Sequence, residues 1–387
     1  MRSAEVVVIG AGVIGASVAY HLAQKGCGPV LVLERNRAPG RGSTGKATGG
    51  FRAQFGSETN VRLSLLARDK LLRFEEELEV DPGYRPCGYL FLADDEAQFA
   101  ALREAREIQT EAGLGEAREV GPSDVKGINP AVSAAGLVGG VFCRTDGFIQ
   151  PMEILRGYVE AAERLGVGFE YGAGCEGFEF DGPGRISAVR TRSGDVASGS
   201  VVNAAGAWAA PVAREAGLEL PVEPLRRQVA ITHPFEALPE DMPMTVFVED
   251  GFHLRVRDGR VMLLLPDKPD VADPLEGSVE EAWLGSVVET ARQRVPCLKD
   301  ASIDREKCWA GLYEMSPDGH ALLGRAPETE NLYLANGSSG HGVMHAPALG
   351  QLLAEIIVDG AASTLDAHPL RPSRFAEDEP NLAPTLL

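Results

Sequence analysis

An unbroken apolar run, Val6-Val7-Val8-Ile9, meets three glycines, Gly10, Gly12 and Gly15, and a helical pattern starts directly behind them. Four adjacent β-branched residues read as a strand buried on both faces, as in a parallel sheet. From Ala16 onward, small residues with Val18 and Leu22 suit a helix lying close on that sheet, and Lys25-Gly26 supplies its end. A second apolar run from Pro29 to Leu33 follows and ends in Glu34. In this setting Gly10 permits the tight turn, and Gly12 leaves the backbone bare for a pyrophosphate. Gly15 lets helix and strand pack closely, while Val13 and Ile14 open the helix whose positive end faces the anion. Glu34, 19 residues after Gly15, stands where an acid holds ribose hydroxyls, and its charge disfavours a 2′-phosphate. The unit predicts binding of FAD or NAD rather than NADP, and the glycines alone do not choose between the two.

At 387 residues the chain exceeds one simple core, so two domains, or one large α/β domain with an insert, are expected. A net charge of −19 repels phosphate backbones and argues against a nucleic-acid partner. Cys27, Cys87, Cys143, Cys175, Cys297 and Cys308 are scattered, with no C-x-x-C and no histidine at metal spacing. The pattern predicts no metal site and reduced thiols of a cytoplasm. No secretory leader pattern is present, and no apolar run approaches the roughly 20 residues that span a bilayer. The expectation is a cytoplasmic chain without a membrane span.

Three further blocks carry chemistry: GSTGKATGGFRAQFGSETN at 42–60, SVVNAAGAWAAPVA at 200–213, and the stretch from WAGLYEMSPDG to ANGSSGHGVMHAPALG. In the second, a strand through Val201, Val202 and Asn203 runs into Ala204, Ala205, Gly206 and Trp208. Small residues there allow either close approach to a nucleotide or plain strand-to-helix packing. In the third, Gly337-Ser338-Ser339-Gly340-His341-Gly342 precedes an apolar helix expected over Ala346 to Val358. Backbone N–H groups and the helix dipole at such a turn suit the electron-rich edge of a flavin.

Together these blocks resemble the D-amino-acid-oxidase-like (DAO) FAD-dependent oxidoreductases, nearest the sarcosine oxidase and L-proline dehydrogenase β-subunit branch. The resemblance runs from Val6 to about Phe375 and is weak over 85–145 and 230–300. It implies an α/β fold (α+β overall): a Rossmann-like FAD-binding domain, discontinuous in sequence, with a second substrate domain built on an antiparallel sheet. The implied FAD segments are 1–85, 146–215 and 309–375. The implied substrate segments are 86–145 and 216–308, and 376–387 is a flexible tail. Within the weak region, Gly251–Val256 and Arg260–Leu265 read as a hairpin turning at Asp258-Gly259. His253 and Arg255 are read as alternating faces, so that one is a candidate to face the substrate, with core or solvent as the alternative. Residues 95–113 and 278–294 read as amphipathic helices.

The resemblance also implies roles. Arg52, just after Gly49-Gly50, stands where sarcosine oxidases hold the substrate carboxylate, which a planar guanidinium grips through two parallel hydrogen bonds. Arg35, Ser43, Thr44, Gly49, Gly50, Ala204, Ala205, Gly206 and Trp208 are implied FAD contacts. Cys175 falls where a small apolar residue touches the adenine. The loop with Gly337, Ser339, Gly340, His341 and Gly342, continued by Val343 and Met344, is implied to lie along the isoalloxazine ring. His341 is either a proton carrier or a structural hydrogen-bonding group. Tyr313 either faces the substrate or is a core aromatic. Asp318, in a Ser-Pro-Asp-Gly turn, reads as structural.

Three departures qualify the resemblance. Monomeric sarcosine oxidases attach FAD through a cysteine, where this chain has Gly311, with Cys308 three residues earlier. Dimethylglycine-dehydrogenase-like relatives use a histidine, where this chain has Lys46. Both imply non-covalent FAD. Lys46 lies either near the flavin, where its charge would stabilise the reduced anion, or in solvent. Met344 replaces a lysine that accompanies the arginine at the carboxylate, which weakens the case for sarcosine itself. Lys268 is the candidate for an oxygen-activating lysine, and oxidase and dehydrogenase both stay open.

The chemistry implied is oxidation of the C–N bond of a small amino acid or secondary amine of the sarcosine, proline or N-alkyl type. Hydride passes to flavin N5, an imine forms, and O2 or another acceptor reoxidises the flavin. A homo-oligomer or a hetero-oligomer is compatible with this. The alternatives are a glycine or D-amino-acid oxidase or dehydrogenase on the same scaffold, and a non-enzymatic FAD-binding subunit or assembly factor.

Overall fold

The computed structural model of the chain describes residues 2–266 and 277–381, so Lys268 lies outside the described residues. The opening apolar run forms the strand Arg2–Ile9, buried from Val6 onward. It pairs in parallel with Val30–Glu34 on one side and Val196–Asn203 on the other. Gly168–Tyr171 and Leu332–Asn336 extend this parallel core, and Leu322–Arg325 adds an antiparallel edge. Cys175–Phe180 and Ile186–Thr191 form an antiparallel flap on Val196–Asn203. The helix Val13–Gln24 crosses this sheet and ends at Lys25-Gly26, with Gly26 at φ 75° as the left-handed stop.

That helix packs on Gly342–Asp359. Their approach is close because Gly350 has no side chain: a Cβ there would lie 2.1 Å from Ser17 Oγ. Ser17 Oγ donates instead to the Ala346 carbonyl at 2.8 Å. The helix begins at Gly342, four residues before the expected Ala346, and Pro347 sits inside it. Proline is favoured in the first turn of a helix, above all at its first position, which favours a later start. Here the first turn is supplied by the glycine loop itself.

The second sheet runs in the order Trp309–Met315, Glu223–Ile231, Arg260–Leu264, His253–Arg257, Met244–Phe247, Tyr89–Ala93, Gly139–Cys143, Ala117–Val120. The expected hairpin is present, and Asp258 and Gly259 both take positive φ at its turn (53° and 66°). The expected helices are Glu96–Glu111 and Glu281–Arg294. The sheet is built on antiparallel pairs as expected, with Met244–Phe247 and Tyr89–Ala93 as a parallel pair within it. One expectation needs correction. Trp309–Met315, expected with the FAD segments, is hydrogen-bonded along Glu223–Val229 as the edge of the second sheet. The pairing partner lies far away in sequence, so nothing local to 309–315 announces it.

Asp318 and Arg374 anchor the C-terminal region. Arg374 is fully buried, and its Nε and Nη2 reach Asp318 at 2.8 and 2.9 Å. Asp318 also accepts from the backbone and side-chain amides of Asn381 at 3.0 and 3.1 Å. The chain is therefore held as far as Asn381, beyond the Ala376 at which a flexible tail is expected. Burial alone would raise the Asp318 carboxyl. The Arg374 guanidinium and the amides outweigh it and hold the group well below the usual aspartate range. Asp318→Asn leaves a fully buried guanidinium unneutralised and is expected to cost about 3–5 kcal/mol, read as an earlier urea midpoint. A lowered folded-state value means that the stabilisation is complete above the ordinary aspartate value of about 4. It is lost as pH falls through the lowered value, so the gap between wild type and variant should close in acid.

Among the described residues no helix is long and apolar enough to cross a membrane. All six cysteines are free thiols.

Candidate active site

A cavity of about 680 Å3 lies between the carboxyl ends of Arg2–Ile9, Val30–Glu34 and Val196–Asn203 and the second sheet. Parallel strands with a reversal of connection direction leave such a crevice at their carboxyl ends. Among the described residues, the expected cofactor-binding residues, with Arg52, Tyr313 and His341, line this cavity except Gly15 and Gly337. Those two act by packing. A Cβ on Gly15 would lie 2.0 Å from the Gly10 carbonyl oxygen, and one on Gly337 would lie 2.5 Å from Leu322.

At the first-sheet end, Gly10 takes φ 109° and a Cβ there would meet the Ala204 carbonyl oxygen at 2.5 Å. Gly12 differs. A Cβ there would meet only Thr44 Oγ1, at 3.4 Å, and would otherwise project into the cavity. Gly12 caps the helix without a side-chain hydrogen bond, and the Val13 N–H donates to Thr44 Oγ1 at 3.1 Å. Glu34 is buried, and its carboxylate accepts from Ala11 N at 2.9 Å and Asn36 N at 2.8 Å. The Arg35 guanidinium stacks on the Trp208 ring, 3.6 Å from its centre. Ala204, Ala205 and Gly206 complete this wall opposite Gly174 and Cys175. Burial pushes the Cys175 thiol up to about 11, so it stays protonated and serves as a packing surface.

The block at 42–60 forms the cavity's middle. Ser43–Lys46 is one helical turn, and Gly49 takes φ 79° where a Cβ would lie 2.4 Å from the Ile149 carbonyl oxygen. Arg255 Nη1 holds this loop by donating to the Thr48 and Gly49 carbonyls at 2.7 and 3.1 Å. Lys46 is exposed at the cavity edge, and Gly311 faces it: a Cβ on Gly311 would lie 3.1 Å from Lys46 Cβ. Cys308 does not line the cavity; it accepts from the Ile231 N–H and donates to the Asp304 carbonyl.

Arg52 is 5% exposed and stacks on Phe55, 3.9 Å from the ring centre. Nη1 donates to the Gln54 carbonyl, and Nη2 lies 3.4 Å from His341 Nε2. Asp146, fully buried behind it, accepts from Ala53 N at 2.8 Å and Gln54 Nε2 at 3.0 Å, which fixes the loop that carries the guanidinium. Burial pushes the Asp146 carboxyl up to about 6 despite these donors. Burial and the neighbouring Arg52 together hold the His341 imidazole far below its ordinary range, so it is neutral. Its ring packs edge-on to Phe55 at 4.7 Å.

The loop at 337–342 is held tightly. Ser339 takes φ 48°, a left-handed conformation that costs a non-glycine residue. It is fixed by its N–H donating to the Glu314 carbonyl at 2.9 Å and by its Oγ accepting from Ser316 N at 3.1 Å. Gly340 is required by Tyr313, whose ring would lie 2.5 Å from a Cβ there. Gly342, Val343 and Met344 then present the first turn of the helix, whose N–H groups have no intrahelical acceptor, to the cavity. Ser338 Oγ and Glu314 Oε2, both on the wall, are buried without a hydrogen-bond partner among the described residues. Bare backbone at Gly12, a buried acid at Glu34 and orphaned polar atoms beside a helix start fit a dinucleotide that carries a polar-edged ring.

The second sheet adds residues that the sequence reading missed: Tyr89, Phe91, Arg227, Met244 and Leu264. His253 and Arg255 also need correction. They are two apart on one strand and so share a face. His253 lines the cavity, while Arg255 reaches the loop next to it.

Fold and site define a class. A model of the FAD dependent oxidoreductase (DAO) family matches residues 5–356, and the chain belongs to that family. It is an FAD-dependent oxidoreductase. FAD-dependent oxidoreductase domain-containing protein 1 of Xenopus laevis is 30% identical, covering 98% of this chain and 84% of its own length. Mitochondrial sarcosine dehydrogenase of Mus musculus is 28% identical over 92% of this chain, which spans 40% of that protein. L-proline dehydrogenase from P. horikoshii superposes with a TM-score of 0.90 at 29% identity, covering 98% of this chain and 100% of its own.

Proposed function

We propose that the protein oxidises the carbon–nitrogen bond of a small amino acid or secondary amine that carries a carboxylate. The observation that carries this reading is Arg52, a buried guanidinium on the cavity wall between Phe55 and His341. When bound, FAD supplies a two-electron acceptor for the hydride on the carbon next to nitrogen. The protein's part is to bind, orient and keep dry. Arg52 grips the substrate carboxylate, which fixes the neighbouring carbon. Tyr89, Phe91, Met244 and Leu264 surround it with apolar surface, which favours the neutral amine whose lone pair the reaction needs. The substrate loses one hydride and its N–H proton to become an imine, and water hydrolyses an acyclic imine.

Neutral His341 serves as an acceptor that positions Arg52 rather than as a charged acid. The first turn at Gly342–Met344 provides positive dipole for negative charge on the ring. Gly311 and Lys46 stand at the two positions of covalent attachment, so the FAD is held without a bond. Denaturing the yellow protein in acid should release all of its flavin to the supernatant.

The test is an anaerobic titration with L-proline, sarcosine, glycine and D-alanine, followed through the visible flavin bands, with air then readmitted. Bleaching by a carboxylate-bearing amine, from this set or one with a second acidic group, is the expected result. Fast recolouring in air would identify an oxidase and slow recolouring a dehydrogenase. A yellow protein that no carboxylate-bearing amine bleaches would overturn the reading.

A further inference from the structure

Arg227 is a second guanidinium on the same cavity wall, and the carboxylate grip of Arg52 does not use it. It lies on Glu223–Ile231, where neighbours alternate faces. Arg226 turns away from the cavity, is 2% exposed and pairs with Glu280. Arg227 turns toward it, opposite Gly311 in the pairing register, and lines the cavity. Its guanidinium lies 5.7 Å from the Tyr313 ring centre. Its hydrogen bond is a long one, 3.4 Å, to the Arg226 carbonyl, and among the described residues no carboxylate comes within ion-pair distance. Arg227 and Arg52 both act on Tyr313 and on His253, so the two cations share one chamber.

Among the described residues, no carboxylate pairs with Arg227 to offset its charge. Burial with Arg52 and Arg227 lowers the His253 imidazole, and burial with Arg52 lowers that of His341, so both are neutral. Among the described residues, Glu314 is an acidic group on that wall, and burial pushes its carboxyl up to about 7; Asp146, behind Arg52, is pushed up to about 6. Arg35 and Arg41 line the cavity at the nucleotide end, where Glu34 lies and a bound pyrophosphate would add negative charge, and Lys46 lies at the edge beside Gly311. Arg227 is left facing an apolar space bounded by Leu264, Val229 and Tyr313. A guanidinium directed into such a space is stabilised when an anion enters with it.

We propose that the substrate is a dicarboxylate: an amino or N-alkylamino acid with a second acidic group, which Arg227 binds while Arg52 binds the first. This rests on the amine-oxidation reading above and narrows it. A monocarboxylic amine such as proline or sarcosine leaves Arg227 without its anion.

The test uses holoenzyme and ligands that cannot be oxidised, so that it does not depend on turnover. Glutarate and succinate are titrated against butyrate and propionate by perturbation of the flavin spectrum. A charge-assisted hydrogen bond predicts that each dicarboxylate binds about 10- to 100-fold more tightly than its monocarboxylate partner. Arg227→Gln should abolish that difference, and Arg227→Lys should restore part of it. Equal binding of mono- and dicarboxylates to wild type would overturn the proposal, as would equal weakening of both by Arg227→Gln. Failure of all four ligands to perturb the flavin would overturn it as well. Tight dicarboxylate binding in a protein that no amine reduces would sink the amine-oxidation reading and leave the anion site standing.

Discussion

Gly12→Val is expected to yield a folded, colourless protein. The three glycines of the first turn look equivalent in sequence but not in space. A side chain at Gly10 or Gly15 would strike backbone carbonyls at 2.5 or 2.0 Å, so substitution there breaks the turn itself. Gly12 has ordinary backbone angles (φ −77°, ψ 175°) that valine accepts, and its nearest obstacle is Thr44 Oγ1 at 3.4 Å. A valine there therefore disturbs little of the protein and fills the space over the helix start. The expected loss of FAD affinity is at least about 100-fold, since the pyrophosphate loses its approach to the backbone. Linkage supplies a second readout. Wild type should gain about 2.7 kcal/mol of stability at FAD concentrations near 100 times the dissociation constant. The variant should gain almost none while matching wild-type apoprotein in melting temperature and circular dichroism. A yellow Gly12→Val protein that FAD stabilises normally would mean that the cofactor does not cross Gly12. Gly15→Val, as the contrast, should be insoluble or melt well below wild-type apoprotein.

That contrast also explains what could be read from the sequence. The nucleotide end was legible because its requirements are carried by residue type at fixed spacing: glycines where a Cβ would clash, and an acid at a strand end. Arg52 was legible because it follows Gly49-Gly50 in one continuous block. The chamber on the other side was not. Tyr89, Phe91, Arg227 and His253 sit on strands of the second sheet, where alternation reveals that two faces exist but not which one meets the cavity. Arg227 reaches the chamber because Glu223–Ile231 pairs with Trp309–Met315, a contact between segments remote in sequence. Gln54 and Asp146, which fix the Arg52 loop, are likewise joined only by folding.

Arg52→Lys should cripple the enzyme although it keeps the charge. The guanidinium is 5% exposed, clamped by the Gln54 carbonyl, His341 and the Phe55 face. A lysine ammonium reproduces neither the planar fork nor the ring stacking. With charge-assisted hydrogen bonds worth about 1.5–3 kcal/mol each, losing both to Arg52→Ala predicts a fall in kcat/KM of about 10^2 to 10^4. Lysine should recover only part of it. The loss should appear in the limiting rate of anaerobic flavin reduction as well as in KM, because a carboxylate held loosely lets the carbon next to nitrogen wander from the flavin. An amine of the same size without a carboxylate separates orientation from general damage. It should be a poor substrate of wild type and should lose no more than a few-fold on Arg52→Ala. If Arg52→Lys and Arg52→Ala both reduce flavin at the wild-type rate with a carboxylate substrate, the carboxylate is held elsewhere. Arg227, the other guanidinium on the wall, would then be the first residue to test in its place.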